Sequence, residues 1–239
     1  MWLKNKYGGW FELPEEKYQD DYKSKQIQSN SEQKKEVEEA KWTQEREKEC
    51  HAIAKQLIDK AHKEEPKVTR DLQNAVHVGT GKLSGLQYKF KGEGSLSEKL
   101  DRKAIEKDTT PKEYSKKVTD VLRYTNESNE ANLVGDFRVV KANLERKGYE
   151  MIECTNTFKK GESYKGINTL MKSPTGYTFE LQFHTRQSLE IKEINHKLYE
   201  ESRKVGTSKE RENELNKQMR RNANRVVHPM DIDTVQNIK

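Results

Sequence analysis

The sequence predicts an α/β (α+β) domain, strands and helices mixed around one modest core, with polar helical additions at both ends. Three observations point there. Residues 177–184, Tyr-Thr-Phe-Glu-Leu-Gln-Phe-His, alternate strictly: Phe179, Leu181 and Phe183 fall on one side, Glu180, Gln182 and His184 on the other. That is the period of a strand buried on one face. Only 31% of the 239 residues are hydrophobic and 36% are charged, and the apolar ones concentrate between Val118 and Phe183. One compact domain can be filled from such a supply, but not a large, evenly spread core. Through the same region strand-like and helix-like stretches follow one another.

The elements are expected in this order. Residues 1–30 read as a weakly ordered lead-in, polar but for Trp2, Tyr7, Trp10 and Phe11. A helical N-terminal extension occupies 31–78. Within it Glu32 to His62 forms a helix on the three-four spacing of Cys50, Ile53, Ala54, Leu57 and Ala61. Pro66 is expected to end that helix, and 69–76 to form a further short one. A domain at 79–204 begins with the glycine-rich loop 79–85. Ser95, with Glu98 three residues on, reads as a capping box that opens a helix. Residues 118–125 form a strand that carries Asp120 in an otherwise apolar setting, where a carboxylate needs a compensating charge. A helix over 132–147 stops at Gly148. Strands are expected at 149–154 and 164–171, the latter pairing with 177–184 across the Pro174/Gly176 turn. Residues 205–239 are a C-terminal polar helix and tail, with Leu215 and Met219 one turn apart and Pro229 ending the helix.

The formal charge of +6, from 46 basic and 40 acidic residues, is too mixed for an architectural nucleic-acid protein. It suits a protein that meets phosphate groups. Two cysteines, Cys50 and Cys154, are too few for a disulfide framework or a zinc site. No apolar run approaches transmembrane length, and the first residues lack a signal peptide's apolar stretch. A soluble, cytoplasmic protein with no membrane partner is expected. The lysines around the predicted helix start, Lys89, Lys91 and Lys99, together with free backbone N–H groups, would cradle a phosphate. The polar face Glu180-Gln182-His184 suits either solvent or a ligand, and its place ahead of a helix favours the ligand.

Taken in sequence, these residues resemble the RelA/SpoT-type synthetase domains, over about residues 85–199. The family's ATP-binding pattern of Arg, Lys, Ser and Lys has its places held by Lys89, Lys91, Ser95 and Lys99. Its magnesium aspartate resembles Asp120, and its Glu-x-Gln strand ending in a basic residue and Thr resembles Glu180 to Thr185. A following His and Tyr resemble His196 and Tyr199. The resemblance implies a mixed sheet flanked by helices, related to nucleotidyltransferases, that transfers pyrophosphate from ATP to a ribose 3′-hydroxyl. It implies Asp120, Glu180 and Gln182 as catalytic residues, with magnesium on Asp120 and Glu180. It further implies ATP contacts at Lys89, Lys91, Ser95, Lys99, His184 and His196, and acceptor contacts at Asn168 and Tyr199; Tyr164 is a nearby substitute for the family's acceptor-stacking ring, and Arg123 is a further candidate ATP contact. Strand period puts Arg123 opposite Asp120, so Arg123 joins the site only where the strand ends or bulges.

The departures concentrate on the acceptor half. Where the family reads Gly-Tyr-x-Ser-Leu-His, this chain reads Gly166-Ile167-Asn168-Thr169-Leu170-Met171. An aliphatic Ile167 removes an aromatic stacking platform worth roughly 1–3 kcal/mol per base. Lys89 replaces a planar guanidinium by a point charge. A hydrolase domain with its His-Asp motif has no counterpart here. The small and toxin-like members are therefore the better comparison, with a tRNA 3′ end or a nucleotide as acceptor and an antitoxin or a parent protein as a further partner. Arg220, Arg221 and Arg225 offer phosphate contacts for the tRNA case. An ordinary (p)ppGpp synthetase using GTP or GDP, and a catalytically silent nucleotide-binding module, stay open as alternatives.

Overall fold

The computed structural model describes residues 2–4, 10–12, 15–204 and 206–238, with side chains from residue 43 onward. The aromatic side chains of the first eleven residues lie outside the described ones. The chain divides into two compact units, Met1–Cys50 and His51–Lys239. In the first, β1 (Trp2–Lys4) pairs antiparallel with β2 (Trp10–Glu12), and the helix α1 (Glu15–His77) follows, so that residues 15–30 are helical.

The second unit holds the rest of α1 and a mixed sheet. Pro66 does not end α1, which runs through it to His77. A proline removes one hydrogen bond and crowds the preceding turn. Here that cost is offset by Ala61, Val68, Leu72, Ala75 and Val76, all buried on one face of the helix. Asp71 adds a polar anchor, accepting from Lys67 Nζ at 2.6 Å, Lys147 Nζ at 2.8 Å and the Tyr149 hydroxyl at 2.9 Å. Burial pushes its carboxyl up, but these three donors together outweigh burial and hold it at about 2.

The five-stranded sheet has the order β3 (Lys82–Ser84), β4 (Arg123–Ser128), β7 (Thr178–Thr185), β6 (Ile167–Lys172), β5 (Glu150–Asn156). β4 and β7 are parallel and every other pair is antiparallel. The helices α2 (Glu93–Glu106), α3 (Pro111–Ser115), α4 (Leu133–Glu145), α5 (Arg186–Ser202) and α6 (Lys209–Ala223) complete an α+β fold. No helix among the described residues is long and apolar enough to cross a membrane.

The alternation read in residues 177–184 is borne out. Phe179, Leu181 and Phe183 are fully buried, and Phe179 meets Tyr124 and Tyr149 edge-on at centroid distances of 5.9 and 6.0 Å. Phe183 meets Phe137 of α4 in the same way at 5.2 Å. Ile167 and Met171 of β6 belong to this core face as well.

Two local expectations are corrected. α2 begins at Glu93, with Gly92 as its N-cap and no side-chain cap, so Ser95 lies exposed in the first turn rather than capping it. β4 begins at Arg123, which leaves Asp120 in the segment before the strand. Between the two, residues 89–91 pair with 121–123. Phe90 bridges Leu122 antiparallel, Lys91 N–H donates to Val121 O at 2.9 Å and Arg123 N–H to Lys89 O at 2.7 Å. The C-terminal helix is no solvated rod, since Leu215, Met219 and Ala223 of α6 are buried; it stops at Ala223, ahead of Pro229.

Candidate active site

Register lines up the polar face of the sheet in two rows. Arg123, Glu180, Leu170 and Glu153 stand side by side across β4, β7, β6 and β5, and Thr125, Gln182, Asn168 and Thr155 form the next row. A bulge in β5 between Met151 and Glu153 decides which residues face this way. Without it, the strand's period would turn Ile152 and Cys154 towards the polar face.

Over these rows lies a cavity of about 240 Å³, lined among others by Lys99, Asp120, Glu153, Thr155, Asn168 and Glu180. Asp120 closes one side of it. Its Oδ1 accepts from Lys99 Nζ at 2.6 Å and its Oδ2 from Lys91 Nζ at 3.0 Å. The pairing of 89–91 with 121–123 sets Lys91 there, and the first turns of α2 supply Lys99. Burial pushes the Asp120 carboxyl up, yet the hydrogen bond from Lys99 and the charges of both lysines together hold it below the usual range. Burial likewise drives the Lys91 ammonium down, and Asp120 counters part of that. The result is one carboxylate shared by two lysine side chains in a half-buried place.

On the other side, Glu180 Oε1 accepts from the Gln182 amide at 2.7 Å. Gln182 in turn accepts at Oε1 from Lys192 Nζ of α5 at 2.6 Å. Burial lowers the Lys192 ammonium and the charge of Glu180 supports it. Arg123 sits beside Glu180 because β4 starts there, which meets the condition set for its joining the site. Sequence reasoning missed Lys192, Glu153 and Thr155. Lys192 had a signal, since it stands one helical turn after Ser188 and so on the same face of α5.

The structure thus brings together Asp120, Glu180, Gln182, Lys91, Lys99, Arg123 and Asn168. Other expected contacts do not join them. Lys89 is turned to Glu65 of α1, its Nζ 3.4 Å from Oε1. His196 is exposed beside Glu200, and Tyr199 is exposed under Arg203, whose guanidinium lies 5.0 Å from the ring centre. His184 is corrected most plainly. It is 0% exposed, with Nε2 2.7 Å from the Tyr164 hydroxyl and Nδ1 2.9 Å from Ser188 Oγ, so no ring nitrogen is left for a ligand. Burial first, and then the charge of Lys192, take its pKa down to about 3, so the ring is neutral. Tyr164, between His184 and Asn168 Oδ1 (2.7 Å), has its hydroxyl occupied as well.

This polar pair depends on Gly166. A Cβ there would stand 2.7 Å from His184 Cε1 and 3.1 Å from Tyr164 Cε1. Neither ring can swing away, because Ser188 and Asn168 hold both. Gly166→Ala should therefore cost about 1–3 kcal/mol of stability, as overpacking does. Thermal melts of the two proteins check this; an unchanged midpoint would show that the rings yield.

No protein-family model matches the chain, and comparison with curated proteins gives no match. Among solved structures the chain is similar to small alarmone synthetase 1 from Bacillus subtilis, at 17% identity and a TM-score of 0.46, over 72% of this chain and 86% of that one. The same synthetase bound to its product pppGpp aligns at 18% identity and a TM-score of 0.40, over 56% and 68%. The Type VI effector Tas1, solved with its immunity protein, aligns at 13% identity and a TM-score of 0.45, over 74% and 94%.

Proposed function

We propose that the chain is a RelA/SpoT-like pyrophosphotransferase that moves pyrophosphate from ATP to a ribose 3′-hydroxyl. The observation that carries this is one cavity with carboxylates from two places, Asp120 and Glu180, faced by the ammonium groups of Lys91 and Lys99. Phosphoryl chemistry asks for positioning and charge neutralisation more than for covalent help. Lys91 and Lys99 neutralise the donor phosphates, and Arg123 adds charge beside Glu180. The acceptor oxygen bonds to the β-phosphorus, the bond from that phosphorus to the α–β bridging oxygen breaks, and AMP leaves with that oxygen. The acceptor's proton goes to Glu180, which Gln182 orients.

Magnesium suits this donor set, two hard carboxylates at the rim of a polar cavity. Among the described residues no group of three or more His, Cys, Asp or Glu side chains is gathered to hold a metal, so Asp120 and Glu180 would share it with substrate oxygens. When bound it would supply charge neutralisation at the phosphates.

For the acceptor, the reading favours an RNA 3′ end or an adenine nucleotide over GTP. Ile167 is buried against the core face beside Phe183, and the hydroxyl of Tyr164 is tied down. The residues that line the cavity include no aromatic side chain for a guanine to stack on. Arg220, Arg221 and Arg225 are exposed and suit the phosphates of a tRNA. Such an enzyme would work in a cytosol, block translation or drain ATP when unchecked, and call for an antitoxin or a controlling parent protein.

The test presents GTP, GDP, ATP, AMP and deacylated tRNA in parallel with labelled ATP, with and without EDTA. Label is expected on tRNA or adenine nucleotides in excess of guanine nucleotides, and EDTA should abolish it. Efficient labelling of GDP or GTP alone would make the chain an ordinary (p)ppGpp synthetase. Binding of a non-hydrolysable ATP analogue without transfer to any acceptor would mark a silent module.

A further inference from the structure

We infer that Lys192 is a positioning residue, which fixes the orientation of the Gln182 amide and through it the Glu180 carboxylate that receives the acceptor's proton; the inference rests on the pyrophosphate-transfer reading above.

An ammonium has three donors and no acceptor. The atom of Gln182 that lies 2.6 Å from Lys192 Nζ must therefore be the amide oxygen, which settles an assignment that an amide's shape alone leaves ambiguous. With the oxygen spent on Lys192, only the NH₂ end remains for Glu180, and it donates to Oε1 at 2.7 Å. Gln182 thus can only donate to Glu180. One carboxylate oxygen is occupied in a set direction and Oε2 is left for an incoming hydroxyl. A charged donor on the amide oxygen also polarises the amide, so that its N–H groups donate more strongly.

Several features hold Lys192 to this task. α5 starts from the capping box of Thr185 and Ser188, directly after β7, so the helix and strand that carry Lys192 and Gln182 share a fixed junction. Asn195, one turn beyond, donates to Ser163 O at 2.9 Å and Met219 O at 3.0 Å, which pins the same helix face against the loop before β6 and against α6. The Lys192 ammonium lies 5.9 Å from the centre of the Tyr164 ring, a cation–π contact that stabilises its charge. Its position answers a gap at the strand's end. His184, where a basic residue was expected to reach the ligand, is buried and neutral, and Lys192 brings a cation to the neighbouring Gln182 from the helix instead. Replacing Lys192 by an apolar residue removes the donor that tethers the amide oxygen, so the direction from which Gln182 meets Glu180 is no longer fixed.

The experiment uses the full chain labelled with ¹⁵N-glutamine. The Gln182 side-chain amide pair is assigned by its loss in Gln182→Glu, and then followed in Lys192→Met and Lys192→Arg beside steady-state kinetics. In Lys192→Met the pair should move to the positions of exposed glutamines. There kcat should fall about ten- to a hundredfold, the range for losing the partner that orients a reacting group. KM for ATP should stay within about twofold, since no donor contact is removed. Lys192→Arg, still a donor-only cation, should keep the amide signal and recover most of kcat. An unmoved Gln182 signal in Lys192→Met overturns the inference. So does a raised KM for ATP at unchanged kcat, which would make Lys192 a phosphate contact. Should Lys192→Met fail to fold, Lys192→Gln, neutral but able to hydrogen-bond, is read in the same two ways. If the unaltered chain transfers nothing to any acceptor while the amide responds, the transfer reading falls and the Lys192–Gln182–Glu180 linkage stands.

Discussion

Replacing Glu180 by glutamine is expected to lower turnover by at least about a hundredfold, the low end for losing a general base. The substitution keeps shape and removes charge. In its place a neutral amide would face the Gln182 amide, and neither can take a proton from a sugar hydroxyl. Glu180 stands on the polar face of β7, and the packing of that strand rests on Phe179, Leu181 and Phe183 behind it. The fold should therefore survive, with a melting midpoint within a few degrees of the parent. Binding of a non-hydrolysable ATP analogue, measured by calorimetry, should change little if, as proposed, Lys91 and Lys99 hold the donor phosphates. A Glu180→Gln protein with ordinary turnover would remove Glu180 from the mechanism.

Asp120→Asn should be more damaging still to magnesium-dependent transfer, a loss expected to exceed about a hundredfold, since this carboxylate serves two purposes at once. It is the shared counter-charge of Lys91 and Lys99 and, with Glu180, one of the carboxylates proposed above to hold the cation. An amide still accepts one hydrogen bond but neutralises neither ammonium. Its absence should drive Lys91 further down, because burial already lowers that ammonium and Asp120 is what counters it. Transfer by the variant should then respond only weakly to added magnesium, and the parent steeply. A variant whose transfer keeps the parent's magnesium dependence would place the metal elsewhere.

Much of this site was legible in the residues because two of its parts are local. The alternation of 177–184 set Glu180 and Gln182 against the core before any partner strand was known, and the spacing of Lys91 and Lys99 placed two cations on either side of a helix start. What was not legible depended on contacts far apart in sequence. Pro66 reads as a helix end, and only burial of the α1 face behind it reverses that. The ladder between β4 and β7 begins at Arg123 opposite Glu180, which leaves Asp120 ahead of the strand, beside the bridge of Phe90 with Leu122. The bulge that turns Glu153 and Thr155 to the cavity has no glycine to announce it. His184 looked like a ligand because it closes a polar row ahead of a helix and holds the place of the family's basic residue; the close approach of Gly166 and the hydroxyls of Tyr164 and Ser188 make it a core residue.

The sheet's two margins carry a last consequence. On one side β3 has three residues; on the other, Cys154 of β5 exchanges both backbone hydrogen bonds with Ile238, at 3.0 and 2.8 Å, and Asn156 N–H is taken by the Asn237 side chain. A foreign strand needs a row of unpaired amides to add itself to a sheet. Along β5 that row is interrupted by the chain's own residues, and along β3 it is too short to template much. Another protein that recognised this unit would therefore have to do so through side chains on helices and loops. Its specificity would be open to change by surface substitutions that leave the sheet untouched.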